Sequence, residues 1–183
     1  LYFRTLFKAY AAIPEPQFPY EEVLPLWNLY LREDLGRAKF SRYRKLKLIV
    51  RAPREEKELE NAYFRTIQER LLEFGFSLID PTAGTSALPD ILLKVQLKGE
   101  MAGDSTDPRL QFKKVYRLTL DIQSFKFLSA NRSIEPVTEE IEEGSSQLDA
   151  AKEVSIQKGC TRLSNLLFYH SLREMFMPSA GGG

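Results

Sequence analysis

One cysteine, one histidine and one tryptophan stand among 183 residues. A lone cysteine cannot close an intramolecular disulfide, and it says little about compartment. A lone histidine removes most of the basis for histidine triads and multi-histidine metal sites. No apolar run approaches the length that crosses a bilayer. Charge of one sign is also lacking: 26 basic and 25 acidic residues leave a net +1. Such a balance gives no global pull toward nucleic acid or an anionic membrane. What is plentiful is apolar material, 43% of the chain, with twelve Phe and eight Tyr. That suffices for the core of one domain.

Periodicity gives the fold class. Tyr116, Leu118, Leu120 and Ile122 alternate with Arg117, Thr119, Asp121 and Gln123. Ile91, Leu93, Val95 and Leu97 oppose Lys94, Gln96 and Lys98, with Leu92 out of pattern. A period of two marks strands with one dry and one wet face. Further strands are expected at 45–52, 76–79 and 134–142. Between the first two, Leu59, Tyr63, Ile67, Leu71 and Phe74 make one apolar stripe, so 55–74 reads as a helix. Gly75 ends it, with Phe76 folding back on the last turn. A final helix over 148–176 carries Ile156, Cys160, Leu163, Leu166, Leu167 and His170 on one stripe, loosened at Gly159. Ser146 and Asp149 resemble a capping box at its start. The polar connection 99–113 is long for a hairpin and predicts a mobile tip. The expected fold is α+β: a mixed, largely antiparallel sheet in the order β-α-β-β-β-β-α, with two helices on one face. The domain is expected to span 45–177, with 178–183 as a disordered tail.

Residues 1–44 form a distinct arm. Pro14, Pro16, Pro19 and Pro25 forbid one continuous helix. The stretch 12–19 reads as an extended strap. A short helix is expected from Glu21 to Leu35, with Pro25 in its first turn and Gly36 ending it. The arm aromatics Phe3, Phe7, Tyr10, Phe18, Tyr20, Trp27 and Tyr30 are too many for a short segment to cover alone. They require either the chain's own domain or a neighbouring protein, and both remain open. On the second option they are the partner-binding residues.

Residues 45–176 carry a resemblance. A basic strand, Lys45-Leu-Lys-Leu-Ile-Val-Arg51, precedes a helix that ends in Leu71-Leu-Glu-Phe-Gly-Phe-Ser-Leu-Ile-Asp-Pro81. A loop then leads to Pro89-Asp-Ile-Leu-Leu-Lys-Val95, a hairpin and a long terminal helix. This resembles small domains of bacterial envelope accessory proteins: the TolB amino-terminal type, the curli-secretion lipoprotein type, and flagellar or penicillin-binding-protein activator lipoproteins. The resemblance implies a non-catalytic structural part of a cell-envelope complex (secretion, flagellar or outer-membrane machinery). It would bind other protein subunits, possibly itself, through its arm and sheet edge. The implied location is the periplasm or outer-membrane periphery, with any membrane attachment through an anchor outside this sequence. Nothing in the residues bars the cytoplasm.

No catalytic, cofactor or metal residue is assigned. Cys160 reads as a small buried hydrophobe. His170 lies ten residues on, about 15 Å along a helix, too far to act as its base. Asp80 and Asp90 flank a loop where a carboxylate site could form, the enzyme alternative; Asp104 and Asp107 lie in the next connection. Turn chemistry alone accounts for all four. Thr82–Pro89 lacks the lysine and spacing of a phosphate loop. Glu135, Glu139, Glu140, Glu142 and Glu143 read as a solvated face. The basic patch Arg37, Lys39, Arg42, Arg44, Lys45 and Lys47, interleaved with Phe40 and Tyr43, supports a nucleic-acid-binding alternative over 37–54. Lysines on an edge strand also simply discourage aggregation.

Overall fold

The computed structural model describes residues 2–79, 88–102, 108–110 and 113–177. Asp80, the 82–87 part of the following loop, Asp104, Asp107 and the 178–183 tail lie outside them. Of the connection expected at 99–113, 103–107 and 111–112 lie outside too, whereas 99–102 continue the preceding strand and 108–110 form a 3-10 turn. The fold is α+β, with a mixed sheet.

Strand β1 (Lys45–Arg51) buries Leu46, Leu48 and Val50 and exposes Lys45, Lys47 and Arg51. The helix that follows, α4 (Lys57–Glu73), buries Leu59, Tyr63, Ile67 and Leu71, the expected stripe. Gly75 adopts φ +90°, which a side chain would strain. Gly75 N–H donates to Leu72 O and Phe76 N–H to Leu71 O, the double bond of a Schellman cap. Strand β2 is only Ser77–Leu78 and runs parallel to β1. Strand β3 (Ile91–Ala102) pairs parallel with β1 on its other side. Strand β4 (Lys114–Phe127) is antiparallel to β3, with an irregularity at Lys94/Val95.

The strand expected at 134–142 is two strands. β5 (Arg132–Ile134) and β6 (Val137–Ser145) both pair antiparallel with β4. Pro136 lies between them and has no N–H to give the ladder. Asn131, at φ 49°, makes the expected turn before β5.

Helix α5 (Leu148–Phe176) lies with α4 against one face of the sheet. Its N-cap is Gln147, with no side-chain cap bond, so the Ser146/Asp149 capping box does not form. Gly159 does not loosen it: the helix is continuous there. A Cβ on Gly159 would lie 2.9 Å from Leu118 Cδ2, and its carbonyl accepts a 3.0 Å bond from Tyr63 OH. The absence of a side chain lets α5 approach the sheet and α4 together.

The arm holds three helices rather than one. They are α1 (Tyr2–Ala11), α2 (Tyr20–Tyr30) and α3 (Asp34–Phe40). Pro25 sits in the sixth position of α2, beyond its first turn, and α2 ends before the expected Leu35. Gly36 does not end a helix; it lies inside α3, where a Cβ would meet Tyr30 O at 2.1 Å. The strap keeps extended backbone at Pro14 and Phe18 around a 3-10 turn at Glu15–Gln17. The arm packs on α5, so α5 is covered on two sides. From Leu163 to Phe176 its buried residues no longer form a single stripe. One core cluster runs from Phe7 to Phe176.

Candidate functional site

The arm aromatics face mainly inward. Phe7 and Trp27 are fully buried, Phe18 and Tyr30 nearly so, and Phe3, Tyr10 and Tyr20 are half-buried. Phe7 meets Phe176 at 5.4 Å between ring centres, and Phe18 meets Tyr169 at 5.1 Å. Trp27 meets Phe168 at 5.3 Å, and its indole N–H donates to Phe74 O at 3.2 Å. Of the two options the sequence leaves open, the cover comes from the chain itself. This burial removes Phe7, Phe18, Trp27 and Tyr30 from any partner-facing set.

A charged clasp fastens the arm and has no sequence motif. Arg162 on α5 reaches Glu15 in the arm with both terminal nitrogens, and Glu139 on β6 at 2.9 Å. The Arg162 hydrogen bond holds the Glu15 carboxyl below its ordinary range, against the opposing effect of burial. Tyr20 OH donates to Glu15 at 2.9 Å, and burial pushes its own ionisation far up. Tyr169 OH donates to Ile13 O at 2.8 Å beside the clasp. Lys158 likewise pairs with Glu143, Arg117 with Glu142 and Glu100, and Arg132 with Glu174. Of the expected solvated acidic face, Glu139, Glu142 and Glu143 are thus tied into ion pairs.

The reactive candidates are held in structural roles. Burial pushes the Cys160 thiol up to about 12, and its S–H donates to Tyr63 O at 3.6 Å. A thiol so far from ionising is a poor nucleophile. His170 lies edge-on to Phe125 and Tyr169, and burial, helped by Arg173 and Arg132, lowers it to about 4. The Asp90 carboxylate accepts Lys45 N–H at 2.9 Å, while Asp90 N–H donates to Lys45 O. Asp90 therefore clips the start of β1 to β3. Among the described residues no group of three or more His, Cys, Asp or Glu could hold a metal ion. No described helix is long and apolar enough to cross a membrane.

The basic patch divides. Arg37 pairs with Asp34 on α3. Lys39 stands 4.3 Å from the centre of the Phe176 ring, and burial, with Arg4 nearby, lowers its ionisation. Lys39 and Arg42 border a 540 Å³ groove with Phe3, Arg4, Tyr30 and Phe176. Lys45 and Lys47 lie instead on the open face of the sheet, where strand pairing adds exposed Arg51, Lys94, Lys98 and Lys126. Phe40 is buried against Trp27 and Phe76, and Tyr43 is half-buried against Phe127. Neither ring is free to stack on a base.

Among the described residues the sheet has an unfinished edge. Even-numbered residues of β1 turn their backbone groups toward β2: Ser77 N–H donates to Arg44 O, and Ile79 N–H to Leu46 O, both at 2.9 Å. Strand β2 pairs only as far as Leu46. At the far end, Ala52 N–H is capped by Glu60 Oε2 at 3.0 Å. Burial alone would raise the Glu60 carboxyl, but Lys57 and that N–H hold it below its usual range. Between these two points no described residue pairs with the outward backbone groups of Leu48 and Val50. They open into a groove of about 690 Å³ between β1 and the outer face of α4, lined by Arg51, Asn61, Phe64, Arg65, Gln68 and Leu78, among others. A signal for it lies in the sequence: the strand expected at 76–79 is half as long as the one expected at 45–52.

The chain matches no known family model and no curated protein. Solved structures give partial likenesses. A minor lipoprotein of Acinetobacter baumannii is 16% identical at TM-score 0.43, over 68% of this chain and 90% of that one. A Xanthomonas campestris protein of the DUF330 family is 13% identical at 0.44, over 71% and 83%. The PelC dodecamer of Paraburkholderia phytofirmans is 14% identical at 0.38, over 68% and 86%. At such scores these likenesses carry no argument about function.

Proposed function

We propose that this chain is a non-catalytic structural component of a bacterial cell-envelope complex that binds neighbouring protein subunits at its sheet edge. The observation that carries the reading is the β1 edge, unpaired beyond Leu46 among the described residues, since an open strand is a template for another chain. The envelope setting, periplasmic or at the outer-membrane periphery, rests on the likeness of 45–176 to envelope accessory domains. The half-exposed Phe3 and its groove offer the arm a smaller second contact. The test is a photo-crosslinking residue placed at position 51 or, as control, at exposed Glu153 on α5, in cells that naturally make the protein. The expected result is discrete adducts from position 51 only, in envelope fractions. Equal adducts from both positions, or a purely cytoplasmic pool, would refute the proposal.

A second reading is favoured by one observation: six exposed cations on the open sheet face, none in an ion pair among the described residues. They would contact a nucleic-acid backbone through charge alone, without stacking. Affinity for single strands should then fall steeply with salt. Binding that ignores salt, or no binding, ends this reading.

A further inference from the structure

The geometry points to a specific occupant for the β1 groove: an extended segment of another protein, with carboxylate side chains at alternate positions, added as a strand along Leu48–Arg51. This rests on the assembly reading above and names the chemistry of the partner.

Three features define that chemistry. First, the outward backbone donors and acceptors of Leu48 and Val50 match those of a strand, and the edge carries no proline or covering element among the described residues to block it. The Glu60 cap on Ala52 closes the far end, so the open run covers about 13 Å at the strand rise of ~3.3 Å per residue. Second, successive side chains of an added strand alternate between two environments. One side meets the face of α4, where Phe64 is 36% exposed, an apolar site. The other lies beside Lys47 and Arg51 on the open sheet face. Third, the charge at the groove is one-sided. Among the described residues, Lys47, Arg51 and Arg65 line it without an ion pair, while Glu60, the one described carboxylate that lines it, already serves Lys57 and Ala52. A strand alternating apolar and acidic residues satisfies both walls; one alternating apolar and basic residues does not. A second copy of this chain fits less well, because Glu139, Glu142 and Glu143 of its own acidic strand β6 are already paired.

The test uses the purified chain and a capped, fluorescent peptide of alternating valine and glutamate. Controls are its valine–lysine counterpart and a version N-methylated at alternate residues, which keeps the charge but loses the strand donors. The glutamate peptide is expected to bind, and neither control should. Binding should slow amide exchange at Leu48 and Val50, whose N–H groups face the groove, and leave Ile49 and Arg51, already bonded to β3, unchanged. Arg51→Glu with Arg65→Glu, both exposed, should weaken binding by about tenfold or more with unaltered circular dichroism. Absence of binding, or equal binding by the N-methylated peptide, overturns the proposal. So does self-association of the free chain, by light scattering, that the double variant abolishes, since the occupant would then be a second copy. Failure with the peptide alongside position-51 adducts in cells would reject this occupant and leave the assembly role standing.

Discussion

Replacing Arg162 with Met tests whether the arm is a working part of the fold. The Met side chain keeps most of the aliphatic stem and removes only the clasp. Exposed ion pairs are worth about 0.2–1 kcal/mol, whereas breaking a buried one costs about 3–5 kcal/mol. Here the side chains are 30% exposed for Arg162, 18% for Glu15 and 29% for Glu139, between those limits. Two carboxylates lose their partner, so the expected loss at pH 7 is about 2–3 kcal/mol. The sign with pH follows from Glu15. Its folded ionisation lies below the unfolded value, so its stabilisation is full above about pH 4.3 and is lost as pH falls through the folded value. Without Arg162 the largest effect lowering that carboxyl is gone, burial opposes what the Tyr20 hydrogen bond still supplies, and the acid-sensitive contribution shrinks. The gap between wild type and Arg162→Met should therefore narrow toward pH 3. Urea unfolding measures it with two probes: fluorescence of Trp27, the single tryptophan and an arm residue, and circular dichroism of the whole chain. Both should shift together, because the arm shares one core with the sheet layer. A loss below about 0.5 kcal/mol, typical of a neutral surface change, would refute the clasp. So would a gap that is flat with pH, or a fluorescence transition well ahead of the other.

Three further outcomes are expected. Gly159→Ala should gain about 1 kcal/mol of helix propensity but incur about 1–3 kcal/mol of crowding against Leu118 and Tyr63. The result should be a small net loss, and a clear rise in urea midpoint would show that the helix is not pressed on the sheet. Leu120→Asp should unfold the protein, since Leu120 is fully buried, while Thr119→Asp, on the open face beside Lys98, should be tolerated; equal melting temperatures would break the face assignment. His170→Phe should flatten the pH dependence of stability between 6.5 and 4. In the wild type the unfolded chain gains a proton in that window and the folded one does not, a loss of roughly 2–3 kcal/mol on acidification. An unchanged slope in a pH series of melts would place that histidine in solvent.

The layer of sheet, α4 and the first half of α5 was legible because each of those parts has one dry face. Alternation marked β3 and β4, and the stripe from Leu59 to Leu71 marked α4, with Gly75 closing it. The arm was not legible for the same physical reason in reverse. Its prolines signalled interruption, yet Pro14, Pro16 and Pro19 fall between helices, and Pro25 is accommodated inside one. Phe3, Phe7 and Tyr10 do fall at helical spacing, but aromatic residues are middling helix formers, and α1 gains its shape from tertiary packing. The clasp joins residues 147 apart in the chain, so no local pattern announces it. At the candidate site, the lysines of β1 were visible but their neighbours were not. The pairing of β1 with β3 brings Lys94 beside Ile49, and only that register gathers the cations on one surface. Phe40 and Tyr43 looked available between charges, and their inward turn could be settled only by the helix and strand that flank them.

The contact between Phe7 and Phe176 joins rings 169 positions apart in the sequence. A ribosome delivers the first ring long before the second. Until then the amino-terminal helices can shelter their rings only in part, Phe7 against Trp27 and Tyr30, and the surface that will meet α5 stays bare. Full closure of this core arrives only once the last turns of α5 have been made, so biogenesis here depends on whatever guards the emerging segment until then.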